Sequence, residues 1–122
     1  MGDRAVIQLR TKDEMSPCLY MHNSGDEVAA ILKRTHTRME GRGNDVSYAF
    51  ARLVQEAIGD SWGCLSFGVW NQTELLTESD THGDAGVFVV DVSDGVWRVY
   101  AGGGYAFEGK DVPEGLELCV LD

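Results

Sequence analysis

The chain has 122 residues, 43% of them hydrophobic, with 20 Asp and Glu against 10 Lys and Arg and a formal net charge of −10. That length predicts one domain, residues 1–122, around one core, and that composition excludes a chain too polar to fold. The apolar runs are too short to cross a bilayer, and the charge argues against nucleic acid or anionic lipid as a direct partner.

Arg4 to Arg10 reads as a strand with Ala5, Ile7 and Leu9 on one face, and Cys18 to His22 as a second strand completing an N-terminal hairpin. Ser24 and Glu27 have the spacing of a capping box, opening a helix with Val28, Ile31, Leu32, Thr35 and Met39 on one face. Gly41 and Gly43 punctuate its end. The chain is organised around the next stretch, Asp45 to Gly59. There Val46, Ala49, Phe50, Leu53, Val54, Ala57 and Ile58 form a broad apolar stripe suited to lying across a sheet. Asn44 or Asp45 is placed to cap it and Gly59 to end it, so the two helices form an antiparallel pair.

After Gly59 the period changes to two. Leu65, Phe67 and Val69 alternate with polar or small residues, which predicts a strand. Residues 71–86 have no periodicity and read as a long exposed loop. Val87 to Val92 is the most apolar strand, and Asp94-Gly95 predicts a hairpin back through Val96 to Ala101. Gly102-Gly103-Gly104 predicts a bend, Tyr105 to Phe107 a resumed strand, and Leu116 to Leu121 a last strand joined as a hairpin. The order ββααββββ predicts an α+β fold: a mostly antiparallel sheet of five to six strands with the helix pair on one face.

The cysteines, Cys18, Cys64 and Cys119, are odd in number and form no CxxC pair, so buried, inert, reduced thiols in a cytoplasmic protein are expected. Cys18 and His22 share a strand face but lie too far apart for a direct hydrogen bond. The N-terminus lacks a signal-peptide core, and Val6 stands where myristoylation favours Ser or Thr. Lys33, Arg34, Arg38 and Arg42 form a basic row, read as a solvated helix face. The three glycines at 102–104 are flanked by strands rather than by a strand and a helix, so a bend is favoured over a phosphate cradle.

Charge is the sharper signal. Residues 1–61 carry nine acids and eight bases, whereas residues 62–122 carry eleven acids and only Arg98 and Lys110. Trp62, Trp70 and Trp97 share that acidic half with Tyr100, Tyr105 and Phe107, and aromatics among acids suit protein–protein hot spots, although most should be core. Asp80, His82 and Asp84 place an imidazole between carboxylates, with Glu78 near, a set that can hold a divalent metal or orient a base. No partner histidine stands at a diagnostic spacing, so no metal or cofactor is assigned and a solvated acidic loop is preferred.

Three runs resemble a pattern in small uncharacterised acidic proteins of bacterial and phage type: Leu19-Tyr20-Met21-His22, Tyr48-Ala49-Phe50-Ala51-Arg52 and Leu65-Ser66-Phe67-Gly68-Val69. The aromatic that often follows the His in that pattern is Asn23 here. In character, a short, acidic, motif-free α+β chain is also similar to phage-encoded inhibitors such as anti-CRISPR proteins and nucleic-acid mimics. That resemblance implies a non-enzymatic protein-binding inhibitor that occupies a basic, nucleic-acid-binding surface of a host complex, and it carries over no site residue. From the residues themselves, the partner-binding set is Trp70, Glu74, Glu78, Asp80, Asp84, Asp91 and Asp94, meeting a protein with a basic surface. Two alternatives stand beside it. One is a small metal-dependent hydrolase using His82 with Asp80 and Asp84; the other is a self-associating domain, a homodimer whose acidic half meets the basic helix of its neighbour.

Overall fold

A computed structural model of the chain describes residues 3–60, 63–81 and 83–121. Six strands form one mixed sheet: β1 (Ala5–Arg10), β2 (Met15–Met21), β3 (Phe67–Trp70), β4 (Gly86–Asp91), β5 (Trp97–Gly102) and β6 (Leu116–Val120). Two helices, α1 (Val28–Arg38) and α2 (Val46–Ile58), stand between β2 and β3 in the chain. The fold is therefore α+β. Spatially the strands run β3-β2-β1-β4-β5-β6.

The β1–β2, β2–β3 and β4–β5 pairs are antiparallel, but β1–β4 and β5–β6 are parallel. The expected hairpin into the last strand is thus replaced by a crossover, residues 103–115, because a parallel neighbour cannot be reached by a tight turn. Tyr105 to Phe107 turns within that crossover and adds no strand. Its Ala106 is buried with the helix-side core, and the Phe107 ring packs 5.8 Å from that of Phe88.

Strand alternation sorts the side chains into two layers. Ala5, Ile7 and Leu9 of β1, Leu19 and Met21 of β2, Phe88 and Val90 of β4, and Trp97 and Val99 of β5 face the helices. Onto them α2 lays Val46, Ala49, Leu53 and Ala57, and α1 adds Val28, Ile31 and Leu32. The apolar stripe of α2 faces as its spacing requires, over β2 and β1. The Asp45 carboxylate caps α2, accepting from the Tyr48 N–H at 3.1 Å, and Gly59 ends it at a φ of 50°.

The start of α1 departs from the capping-box expectation. Ser24 makes no side-chain cap, and Gly25 to Glu27 form a 3-10 turn before the helix. Gly25 is there for space: a Cβ would lie 2.2 Å from the Asp3 carbonyl oxygen, and the Gly25 N–H donates to that oxygen at 2.7 Å.

Candidate partner-binding surface

The other face of the sheet is covered by chain rather than by helix. Val6, Cys18, Val87 and Val89 are buried there, with Tyr20 and Tyr100 partly so. Strands β3 and β4 run the same way, both parallel to β1, so residues 71–85 must cross this face to join them. Most of the described residues of this segment are exposed, as the sequence suggests, but the segment is docked on the sheet. Leu76 is 2% exposed and seals the second core.

Gln8 holds the crossing in place. Its Oε1 accepts from the Leu76 N–H at 2.9 Å, and its Nε2 donates to the carbonyls of Glu74 and Ser16, each at 3.4 Å. Gln8 is fully buried, so each of these bonds replaces water that cannot reach it. Upstream, Trp70 Nε1 donates to Gln72 Oε1 at 3.0 Å, and Gln72 Nε2 to the Glu74 carbonyl at 2.8 Å. Downstream, a 3-10 turn over Glu78–Asp80 is closed by the Asp80 carboxylate, which accepts from the Thr77 N–H at 2.8 Å. Thr81 Oγ1 then donates to the Gly103 carbonyl at 3.0 Å.

The acids named from the sequence separate into groups. Glu74, Glu78 and Asp80 lie exposed along the crossing, and Trp70 is exposed at its start on the β3 edge. Asp84 is tied into the fold by Arg4, whose Nε and backbone N–H donate to one oxygen at 2.7 and 3.1 Å. Those hydrogen bonds hold the Asp84 carboxyl below the usual carboxylate range. Asp91 pairs with Arg10 at 3.4 Å; partial burial pushes its pKa up, but hydrogen bonds from Ser93 and the charges of Arg10 and Arg98 outweigh that and lower it. Asp94 is exposed in the β4–β5 turn, at the opposite end of β4 from Asp84, with Arg98 3.8 Å away. The structure thus gathers Glu74, Glu78 and Asp80 on one segment and leaves Asp94 remote. Gln8, which orders that segment, was not singled out from the sequence. Its signal is a lone amide inside the otherwise apolar run Ala5 to Leu9.

His82, needed for the metal-hydrolase alternative, lies outside the described residues, as does Trp62. Among the described residues no three or more His, Cys, Asp or Glu gather as metal ligands. The basic row is spent internally: Arg34 and Arg38 both bind Glu56, at 2.8 and 3.2 Å, Lys33 donates to the Glu114 carbonyl, and Arg42 stacks 3.8 Å from the Tyr48 ring centroid. Helix α1 ends at Arg38, so Arg42 belongs to the following turn. His22 Nδ1 meets the Tyr20 hydroxyl at 2.7 Å.

The cysteines are not alike, contrary to the uniform burial expected. Cys18 is buried, and desolvation, with Asp80 nearby, pushes its thiol up to about 11. Cys64 is exposed, and its hydrogen bonds with Ser66 lower its pKa. Cys119 is half-buried. The difference follows position: Cys18 sits mid-strand between two layers, whereas Cys64 precedes β3 in an unpaired stretch.

Comparison of the chain with protein-family models, curated proteins and solved structures finds no match in any of the three. No helix among the described residues is long and apolar enough to cross a membrane.

Proposed function

We propose that this is a non-enzymatic acidic binding protein whose Glu74, Glu78 and Asp80, beside Trp70, engage a basic surface of another protein. The observation that carries this reading is the anchoring of this segment, by buried Gln8 at residues 74 and 76 and by the Thr77–Asp80 capped turn after them. Carboxylates on a free loop lose ordering entropy when they bind; carboxylates on a fixed segment have lost it on folding. Exposed Trp70, tied to Glu74 through Gln72, supplies the apolar contact that a purely ionic surface lacks. In its sharper form the partner surface is one that binds nucleic acid, and the protein inhibits by occupying it, within a phage or mobile-element setting. Its place of action is the cytoplasm.

The test compares the wild-type chain with a Glu74→Gln, Glu78→Gln, Asp80→Asn variant. Both are immobilised, and basic proteins retained from a host extract are eluted with a salt gradient. The variant is expected to release its partner at lower salt, because ionic contacts are screened. Added duplex DNA is expected to displace the partner if the surface binds nucleic acid. Identical elution from a variant with unchanged melting temperature overturns the reading.

A further inference from the structure

Strand β6 ends the sheet, and its outer edge is bare among the described residues. The Gly115 carbonyl accepts from the Trp97 N–H, and the Leu121 N–H donates to the Ala101 carbonyl. Backbone groups of alternate residues point to the same neighbour in a parallel ladder, so 117 and 119 also face β5. The N–H and C=O of Leu118 and Val120 therefore face outward. Their side chains lie on the helix side with Leu116, beyond the reach of either helix, and are 41% and 79% exposed. Beneath them is a cavity of about 370 Å³ whose walls include Phe88, Ala101, Phe107, Glu108, Leu118 and Val120.

Edge strands are normally protected by charge, proline or a covering loop. Here Leu118 and Val120 offer none of these on the groove side, and the charge nearby is predominantly negative. Residues 103–122 hold Glu108, Asp111, Glu114, Glu117 and Asp122 against Lys110 alone. Glu108 lines the groove, and Glu117 projects from the opposite face of β6, where it stays exposed although Arg98 stands 3.9 Å away. Two copies pairing edge to edge would bring these acids together, which disfavours a homodimer.

We infer that the β6 edge and its apolar groove receive an extended segment of a different protein, in which apolar residues alternate with Lys or Arg. An added strand hydrogen-bonds to Leu118 and Val120 and sends alternate side chains to opposite faces. On one face they fill the groove against Phe107 and Leu118; on the other they meet Glu117. The inference rests on the binding reading above for the sign of the partner's charge, but it names a separate surface.

The probe is a blocked peptide of about eight alternating Val and Lys residues, long enough to span a typical strand. It is titrated into the isotopically labelled protein, with amide exchange read residue by residue. On binding, exchange of the Leu118 and Val120 N–H groups is expected to slow by about tenfold or more, whereas Glu117 and Cys119, already bonded to β5, change little. Val120→Lys, a change at an exposed site, is expected to weaken binding by about tenfold, because it sets a charged side chain against the apolar residues of the peptide in the groove. The Glu74→Gln, Glu78→Gln, Asp80→Asn variant is expected to bind the peptide as wild type does. The inference is overturned by absence of binding up to about 1 mM, by protection at Val69 on the β3 edge instead, or by protection of Leu118 and Val120 in the free protein that grows with its concentration, which would mark a second copy as the occupant. Shifts confined to residues 74–80 would overturn this inference and leave the first reading standing. A peptide seated on β6, with salt elution of extract partners unaffected by the triple substitution, would do the reverse.

Discussion

The Leu76 N–H donates to the side-chain oxygen of Gln8 at 2.9 Å, both residues being buried between the sheet and the segment that crosses it. A strand in the middle of a sheet thereby controls residues far along the chain, and controls them through one amide. Replacing Gln8 with Leu removes both its donor and its acceptor and leaves the Leu76 N–H buried without a partner. The expected cost is about 2–4 kcal/mol, the desolvation penalty plus lost hydrogen bonds. Faster amide exchange over residues 74–80, with the helices unaffected, would accompany it. A denaturant melt with exchange data measures both, and an unchanged exchange pattern would show that the crossing holds itself.

Cysteine reactivity follows the three environments. At about pH 8, near the ordinary thiol range, iodoacetamide should modify Cys64 first, Cys119 more slowly and Cys18 only after unfolding. Cys64 is exposed with a lowered pKa, and Cys18 is buried with its pKa pushed up to about 11. Mass spectrometry of timed samples, with and without denaturant, gives the order directly. Rapid native labelling of Cys18 would mean that the crossing segment opens readily.

Acid should loosen the junction between the start of β1 and the segment that leads into β4. The Asp84 carboxyl has a lower pKa folded than unfolded because Arg4 donates to it. Such a pair stabilises the fold above the unfolded carboxyl value, about 3.9, and that contribution is lost as pH falls through the folded value. Asp84→Asn should therefore lower the melting temperature at neutral pH and flatten the acid limb of the stability curve below about pH 4. A variant whose melting temperature falls equally at all pH values would remove Asp84 from this role.

The glycine run separates space from conformation. A Cβ on Gly104 would sit 2.0 Å from the Ala85 carbonyl oxygen, a backbone atom that cannot step aside. The Tyr105 and Ala106 N–H groups donate to Asp84 and Ala85 carbonyls, which fixes that approach. Gly104→Ala should then cost more than Gly102→Ala, where the nearest atoms lie at 3.4 Å in the side chains of Glu78 and Leu121. Thermal melts of the pair decide it, and equal costs would argue that the segment can shift.

Both helices and the six strands were legible, the helices in their periodicity and β4 as a continuous apolar run, because burial follows each element's geometry: one stripe of a helix, both faces of a central strand. Strand partners were not. Whether Leu116 to Val120 pairs with β5 in parallel or antiparallel fashion depends on the path of residues 103–115, whose anchors are Ala106 and Phe107 on the core and Lys110 on the Asp26 carbonyl. None of these has a local signature. The crossing segment escaped for a similar reason: Leu75 and Leu76 are adjacent apolar residues without a period, and their docking is set by Gln8, distant in sequence. Among the candidate acids, composition alone did not distinguish Asp84 and Asp91, held by Arg4 and Arg10, from exposed Glu74 and Glu78.

The helix pair offers the cleanest test of phase. Leu53 is fully buried under α2, whereas its neighbour Arg52 lies half-buried with its guanidinium 5.0 Å from the Tyr48 ring centroid. Leu53→Ala removes buried methyl groups from the principal core and should cost about 2–5 kcal/mol. Arg52→Ala loses an exposed cation–π contact, worth about 0.5–1 kcal/mol, and a long 3.4 Å hydrogen bond to the Tyr48 carbonyl. Glu56 falls between them. Its carboxylate joins Arg34 and Arg38 across the pair and is only 15% exposed. Glu56→Gln keeps the shape while removing the charge, and should cost about 1 kcal/mol, at the upper end for a partly solvated pair. The ranking Leu53 above Glu56 above Arg52 thus probes burial, ion pairing and exposure along five consecutive residues of α2. Added salt should narrow the gap between Glu56→Gln and wild type and leave the Leu53 deficit almost unchanged, because screening acts on charge and not on cavity formation. Denaturant melts of the three variants at low and high salt would show it, and a salt-insensitive Glu56 deficit would mean that its role is packing against α1.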